Sequence, residues 1–169
     1  DGLSNILSTV CGFADGRVIA LFGCGGDRDK TKRPRMAKIA AQGADFAVLT
    51  SDNPRTEDPY AILRDALPGL MESKTPFAVI EERRKAIAFA LEEARSGDVV
   101  VLCGKGHETY QEIGTTKYHL DEREVVRECF ARGQRKKAGP PAGGNEHEDH
   151  HRLYSELCGI RDHGEISGP

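Results

Sequence analysis

A stiff polar turn, Asp52-Asn53-Pro54-Arg55, follows closely on the apolar run Phe46–Leu49. Pro54 fixes its own φ and keeps the preceding residue out of helical geometry. At the end of a strand, such a turn can present the amide of Asn53 and the guanidinium of Arg55 in one direction. Open α/β sheets bind ligands at that edge, and the planar Arg fork matches a carboxylate. The turn therefore indicates either a site for a small carboxylate-bearing molecule or an Asx-type turn that caps the next helix.

Two further loops rich in glycine and charge follow apolar runs, at positions 23–29 and 104–108. In a parallel sheet all three loops emerge at the same edge, so we expect them to converge. Glycines let backbone N–H groups approach an anion, and Arg28, Arg55 and Lys105 would add positive charge around it. Glu108 beside His107 could be an acid–base pair, but we favour a role for Glu108 in binding the ammonium of a ligand.

Two familiar nucleotide-binding signatures are missing. The loop Gly23-Cys24-Gly25-Gly26-Asp27-Arg28 has arginine where the dinucleotide fingerprint needs its third glycine. No segment reads G-x-x-x-x-G-K-[ST], so the chain has no P-loop. We therefore expect that it lacks the usual ATP cradle.

The elements that must position these loops alternate between strands and helices. Continuous apolar runs predict buried parallel strands, and a later pair flanking Gly114-Thr115 predicts an antiparallel hairpin. The predicted strands are 17–22, 45–50, 77–80 and 98–103, and the hairpin spans 108–113 and 116–120. This pattern predicts an α/β fold: a Rossmann-like, mostly parallel sheet with helices on both faces and an antiparallel edge hairpin.

Helical periodicity and capping residues predict the connecting helices. Pro68 should stop or kink the third helix, and Asp121 with Glu124 should form a capping box for the last. We interpret the basic cluster Arg83-Arg84-Lys85 as a solvated helix face. The predicted helices cover residues 3–10, a segment from about Pro34, a segment from Asp58, residues 82–95 and a segment from Asp121.

Composition limits the class of protein. The chain has 169 residues, 38% hydrophobic and 30% charged, with a net charge of −3. That balance predicts neither nucleic-acid nor membrane partners, and no apolar run is long enough for a membrane span. Five scattered cysteines without a Cys-x-x-Cys pair indicate reduced thiols in a cytosol-like compartment. Because the chain begins with Asp1 instead of methionine, we expect it to be part of a longer protein.

The composition changes near Gly133, so we predict one domain over residues 1–131 and a flexible polar tail over 132–169. Glycine and proline in the segment 135–144 cannot support a core, although a short helix near 152–158 is expected. Histidines and acids at 146–151 could bind a metal, but such a tail gives them no supporting residues, and we predict no metal site.

Three motifs make a family resemblance recognisable. They are Phe-Gly-Cys-Gly-Gly-Asp-Arg-Asp-Lys-Thr-Lys-Arg-Pro (22–34), Asp-Asn-Pro-Arg (52–55) and Gly-Lys-Gly-His-Glu (104–108). In order and spacing they closely resemble the C-terminal domain of Mur ligases, and within that family the MurE type. The resemblance covers about residues 1–131 and implies a Rossmann-like α/β domain.

The resemblance also implies a substrate site. The Asp-Asn-Pro-Arg motif, residues 52–55, looks like the type that selects meso-diaminopimelate, whereas lysine-adding relatives differ there. By this likeness Arg55 and Asn53, within Asp52–Arg55, would hold the distal carboxylate and amino group. The pocket would be completed by Arg28, Gly104 and Glu108. Lys32 and Arg33 would face the nucleotide, and the likeness gives this domain no catalytic residue.

The implied reaction is ATP-dependent formation of an amide in peptidoglycan synthesis. A phosphorylated γ-carboxyl of UDP-N-acetylmuramoyl-L-alanyl-D-glutamate is attacked by the amine of meso-diaminopimelate. In this family, ATP, Mg²⁺ and the UDP-linked dipeptide are held mainly by domains absent from this sequence. We therefore expect the chain to be inactive alone, monomeric and cytoplasmic, with a plastid as the alternative compartment. A non-catalytic interaction module with the same fold is the alternative function.

Overall fold

A four-stranded parallel sheet forms the centre of the computed structural model, which describes residues 2–137 and, for side chains, residues 2–133. The sheet order is β3-β2-β1-β4, and Ile19 pairs with Phe46 on one side and with Val100 on the other. All four strands are parallel, so their carboxyl ends lie at one edge. The strands are β1 Val18–Cys24, β2 Phe46–Ser51, β3 Phe77–Val79 and β4 Val99–Leu102.

Helices cover both faces of this sheet. In β1, Phe22 and Cys24 pack against α2 and α3, whereas the alternate residues Ile19 and Leu21 pack in a second core that includes α4 and α5. Both sides of β1 are thus buried, as its continuous apolar sequence predicts. The helices are α1 Gly2–Cys11, α2 Lys32–Gln42, α3 Pro59–Met71, α4 Arg83–Glu93 and α5 Glu122–Lys137.

Helix α3 continues through Pro68, so the prediction that it stops there is wrong. Pro68 lies in the last turn, where its missing N–H removes only the hydrogen bond to the Arg64 carbonyl. The next residue allows α2 and α3 to touch: a Cβ on Gly69 would lie 1.9 Å from the Pro34 carbonyl oxygen. Any side chain at position 69 would force the two helices apart.

The hairpin consists of β5 Tyr110–Ile113 and β6 Thr116–His119, joined through Gly114 at φ +61°. It forms a two-stranded sheet of its own and does not extend the main sheet at its edge. One of its links to the domain is a parallel bridge between Arg55, in the loop after β2, and Ile113. The predicted α/β class is confirmed, and the hairpin lies next to the loops instead of beside a strand.

Helix α5 begins with Asp121 as N-cap, whose side chain accepts from the Arg123 backbone N–H at 3.0 Å. Glu124 does not complete the predicted capping box, because its carboxylate instead contacts His119 Nε2 at 2.6 Å. The helix continues past position 131, the predicted domain boundary, to Lys137. The predicted tail helix near 152–158 lies outside the described residues. None of the helices within residues 2–137 is long and apolar enough to cross a membrane.

Candidate functional site

The loops after β1 and β2 are in direct contact. Gly26 donates its N–H to the Asn53 carbonyl at 2.8 Å, and Arg55 Nη1 donates to the Gly26 carbonyl at 2.8 Å. A Cβ on Gly26 would lie 1.8 Å from the Pro54 carbonyl oxygen, so only glycine permits this approach. The predicted convergence of these two loops is confirmed, and Pro54 is buried at the point of contact.

Asn53 joins the β2 loop to the loop after β4 and to the hairpin. Its side-chain oxygen accepts from Lys105 Nζ at 2.5 Å and from the Glu112 N–H at 2.9 Å. Its Nδ2 donates to Glu108 Oε2 at 3.0 Å. Asn53 is 5% exposed and caps no helix, since α3 is capped by Asp58. The Asx-cap interpretation of the turn is therefore wrong.

From the sequence we expected Lys105 to add positive charge around a bound anion. Its side chain is instead fully buried and offers no free charge. Its ammonium lies 2.9 Å from the Tyr110 carbonyl oxygen, 3.2 Å from Asp52 Oδ1 and 3.7 Å from Glu108 Oε2, besides its contact with Asn53. Burying an ammonium is costly unless acceptors surround it, and these four oxygens meet that need.

Arg55 combines an unusual backbone with an incompletely used side chain. Its φ is +52°, and its backbone pairs with the hairpin through Glu112 and Gly114. Nη1 contacts Gly26, and Nε lies 3.2 Å from Glu112 Oε2. Among the described residues, Nη2 forms no hydrogen bond, and the side chain is 24% exposed. The contacts of Nη1 and Nε therefore hold the guanidinium in place, while Nη2 keeps donor capacity.

Arg28 lies close to Arg55 across Gly25. A Cβ built on Gly25 would be 3.2 Å from Arg55 Nη1 and 3.6 Å from Arg28 Cγ, so the glycine separates the two arginines. Arg28 is exposed and has no hydrogen bond or ion pair within the described part of the chain. The two guanidinium-bearing side chains thus share one end of the site.

The other end carries Glu108, whose side chain is 33% exposed. Together with Gly106 and His107 it lines a cleft of about 430 Å³ that extends to the start of α5. Gly104 has φ +108°, and a Cβ there would lie 3.3 Å from Asp52 Oδ2. His107 is exposed and forms no hydrogen bond in the described region, so nothing pairs it with Glu108 as an acid–base couple.

A set of contacts that was not predicted from the sequence holds the β1 loop against the β2 loop. Thr56 Oγ1 donates to Asp27 Oδ1 at 2.7 Å, and Glu57 accepts from the Asp27 N–H at 2.6 Å. Glu57 also forms a bidentate pair with Arg33, at 2.7 and 3.0 Å. Hydrogen bonds, chiefly those from Arg33 and the Asp27 backbone, lower the pKa of Glu57 to about 2.

Arg33, which we expected to face the nucleotide, has partners within the domain. Arg33 is 2% exposed, and its guanidinium is used by Glu57, Asp65 and the Gly25 carbonyl. Its neighbour Lys32 is exposed and has no partner among the described residues. Arg33 precedes the buried Ala37, Ala40 and Ala41 at helical spacing, a signal that could have placed it on the inner face.

Arg83 is a second buried guanidinium, and its assignment to a solvated face is wrong. It pairs with Glu122 at 2.7 Å and donates to the carbonyls of Ser51 and Cys103, which end β2 and precede the β4 loop. It also lies at helical spacing before the buried Ala86, Ile87 and Ala90. Arg83 thus fixes the strand ends from which two site loops start.

Within residues 2–133, no group of three or more His, Cys, Asp or Glu side chains is arranged to hold a metal ion. The histidines and acids at 146–151 lie outside the described residues. Four cysteines, Cys11, Cys24, Cys103 and Cys129, are free thiols. Burial raises the pKa of Cys24 and of Cys103 to about 11, so both stay protonated.

Comparison with known proteins identifies similar chains. The sequence is 49% identical over 132 residues to the UDP-N-acetylmuramoyl-L-alanyl-D-glutamate--2,6-diaminopimelate ligase of Clostridioides difficile (strain 630), covering 78% of this chain and 27% of that enzyme. It is 55% identical over 130 residues to the enzyme of that name from Synechocystis sp. (strain ATCC 27184 / PCC 6803 / Kazusa), covering 77% and 26%.

A solved structure of a UDP-N-acetylmuramoyl-L-alanyl-D-glutamate--2,6-diaminopimelate ligase matches with a TM-score of 0.76 and 44% identity, over 79% of this chain and 28% of that one. The chain thus spans about a quarter of the length of these relatives. The family model for the Mur ligase glutamate ligase domain matches residues 1–106, which include the first two site loops and the start of the third. By its sequence, its fold and its motifs, this chain belongs to the Mur ligase family.

Proposed function

We propose that this chain is the substrate-binding C-terminal domain of an ATP-dependent ligase that joins meso-diaminopimelate to UDP-N-acetylmuramoyl-L-alanyl-D-glutamate in peptidoglycan synthesis. The observation that carries this proposal is one open cation and one open anion in a single site. Arg55 Nη2 forms no hydrogen bond among the described residues, and the partly exposed Glu108 is joined to the same loop through Asn53. The diaminopimelate relatives support the choice of substrate.

The distal end of meso-diaminopimelate carries a carboxylate and an ammonium. The carboxylate would bind Arg55 Nη2, with Arg28 adding positive charge from the β1 loop, and the ammonium would bind Glu108. Lysine has a terminal ammonium but no distal carboxylate. It would leave the guanidinium unpaired and place a second cation near it, which disfavours lysine.

The domain's part in the reaction is orientation of the incoming amine. Holding the distal end in a fixed position brings the reactive amine to the activated carboxyl with little further loss of freedom. None of the described groups would need to exchange a proton with the substrate for this role.

The residues present offer little to ATP and Mg²⁺. The sequence has no P-loop, Arg33 is buried in ion pairs, and residues 2–133 contain no metal-ligating cluster. Lys32, which is exposed, is the residue that would contact the nucleotide from this domain. Nucleotide, Mg²⁺ and the UDP-linked dipeptide would bind mainly to other parts of a longer protein.

Isothermal titration of the 169-residue chain tests the proposal. We expect saturable binding of meso-diaminopimelate and at least about tenfold weaker binding of L-lysine, since one charge-assisted contact contributes about 1.5–3 kcal/mol. Equal heats, or no detectable heat with either ligand, would contradict the proposal and favour the interaction-module alternative.

A cytoplasmic location and a monomeric state accompany this proposal. The scattered cysteines of the sequence, without a Cys-x-x-Cys pair, support a reducing compartment. The relatives compared above are bacterial, and the plastid alternative has no support from them.

A further inference from the structure

The side chain of Asn53 can adopt only one amide orientation in this site. Its oxygen faces two donors, Lys105 Nζ and the Glu112 N–H, and its nitrogen faces the Glu108 carboxylate. Rotating the amide by 180° would place donor against donor and oxygen against oxygen. The amide oxygen and nitrogen are similar in shape, but the donors and the acceptor around them fix the positions of Oδ1 and Nδ2.

This orientation determines what Asn53 can still bind. Both lone pairs of the side-chain oxygen are used, whereas Nδ2 has given one of its two N–H groups to Glu108. The remaining capacity is a donor. A donor can bind a ligand carboxylate but not an ammonium. Asn53 would therefore donate to the ligand carboxylate, as Arg55 would.

Lys105 also sets the charge of the site. Its ammonium lies 3.2 Å from Asp52 and 3.7 Å from Glu108, with its side chain fully buried. The two carboxylates and the one ammonium leave a net charge of about −1 at this end, which matches a single ligand ammonium. Without Lys105 the two carboxylates would stand together uncompensated, and the site would attract cations more strongly than carboxylates.

We infer that Lys105 is a specificity-determining positioning residue: together with the Glu112 N–H it holds Asn53 as a carboxylate donor, and it limits the negative charge around Glu108. This inference rests on the proposed binding of meso-diaminopimelate and assigns a role to a residue that would not itself touch the ligand. Lys105 would act through Asn53 and Glu108, so its removal should change ligand preference more than overall binding.

Three ligands separate the contributions. Meso-diaminopimelate has both distal groups, L-lysine keeps the amine, and L-2-aminopimelate keeps the carboxylate. For Lys105→Met in the 169-residue chain, we expect at least about tenfold weaker binding of the two carboxylate ligands, while lysine binds equally well or better. A parallel loss for all three, or no loss, would overturn the inference.

Lys117→Met is the matched control. Lys117 is exposed and places its ammonium 4.2 Å from the ring centre of Tyr110, the residue whose carbonyl contacts Lys105. The substitution removes a nearby lysine of the same charge without changing a contact of Asn53 or Glu108. We expect all three affinities to stay within about twofold; a change of preference equal to that of Lys105→Met would overturn the inference.

A nuclear magnetic resonance measurement tests the orientation directly. In the wild-type chain, the Glu112 amide nitrogen should show a scalar coupling across its hydrogen bond to the Asn53 side-chain carbonyl carbon. Its absence from the wild-type chain would overturn the inferred orientation. If wild type binds none of the three ligands, the proposed function fails, while this coupling still decides the orientation of Asn53.

If Lys105→Met does not fold, the wild type alone suffices. The Asn53 side-chain N–H resonances should shift more on addition of L-2-aminopimelate than on addition of L-lysine at equal saturation. Shifts of equal size with both ligands, or with lysine alone, would overturn the inference.

Discussion

Two groups of cationic side chains lie within a short distance of one another and behave in opposite ways. Arg33, Arg83 and Lys105 are at most 2% exposed and have acceptors supplied by the fold. Arg28 and Arg55 keep unused donors, and Arg28 forms no hydrogen bond or ion pair with the described residues. The framework cations therefore position the loops, whereas Arg28 and Arg55 have the donors that the proposed ligand would use.

The largest effect should come from the framework group. Arg83→Met leaves Glu122 and two carbonyls without their donor, so we expect a loss of about 3–5 kcal/mol in the free energy of unfolding. Urea denaturation followed by circular dichroism measures it. The control Arg84→Met, at a side chain 39% exposed, should cost less than about 0.5 kcal/mol. Equal costs would remove the distinction between the groups.

The next effect concerns the open group and appears in binding. Arg55→Ala removes the guanidinium that would hold the ligand carboxylate, so affinity for meso-diaminopimelate should fall about 10–100-fold. Titration calorimetry measures this, with the exposed Arg35→Ala as control. In an intact ligase, the same change should raise the KM for diaminopimelate far more than the KM for ATP. Similar effects on both would contradict a role in substrate selection.

A smaller effect tests the ion pair between the two loops by pH. The pKa of Glu57 is lowered from 4.5 to about 2, so its carboxylate stabilises the fold fully above pH 4.5, and this contribution is lost as the pH falls toward 2. Urea unfolding between pH 6 and pH 3 should show a steeper decline for wild type than for Glu57→Gln. The exposed Glu72→Gln should follow wild type. If Glu57→Gln declined as steeply, the pair with Arg33 would have no such role.

The smallest expected effect is a difference in alkylation rate between exposed and buried cysteines. Burial raises the pKa of Cys24 and of Cys103 to about 11, while Cys11 is exposed. Brief treatment with iodoacetamide at pH 7.5 should alkylate Cys11 and spare the two buried thiols, as read by peptide mass spectrometry. Labelling of Cys24 or Cys103 at the rate of Cys11 would indicate that the strand ends beneath the loops open readily.

The parallel sheet and the meeting of the loops could be predicted because both follow from local patterns. Continuous apolar strands such as β1 indicate burial on both faces, and parallel strands bring their following loops to one edge. The partners of the buried cations could not be predicted in this way. Arg33 meets Glu57 from 24 positions away, Arg83 meets Glu122 from 39, and Lys105 meets Asn53 from 52. Only the folded chain shows which donors are already used.

In the proposed function, the three loops form one pocket for the doubly charged end of meso-diaminopimelate. Chemical-shift mapping of the isotope-labelled 169-residue chain during titration with this ligand tests it most directly. We expect saturable shifts concentrated in residues 25–28, 52–55 and 104–108, and none of comparable size in α1 or along α3. Shifts centred elsewhere, or confined to one of the three loops, would contradict it.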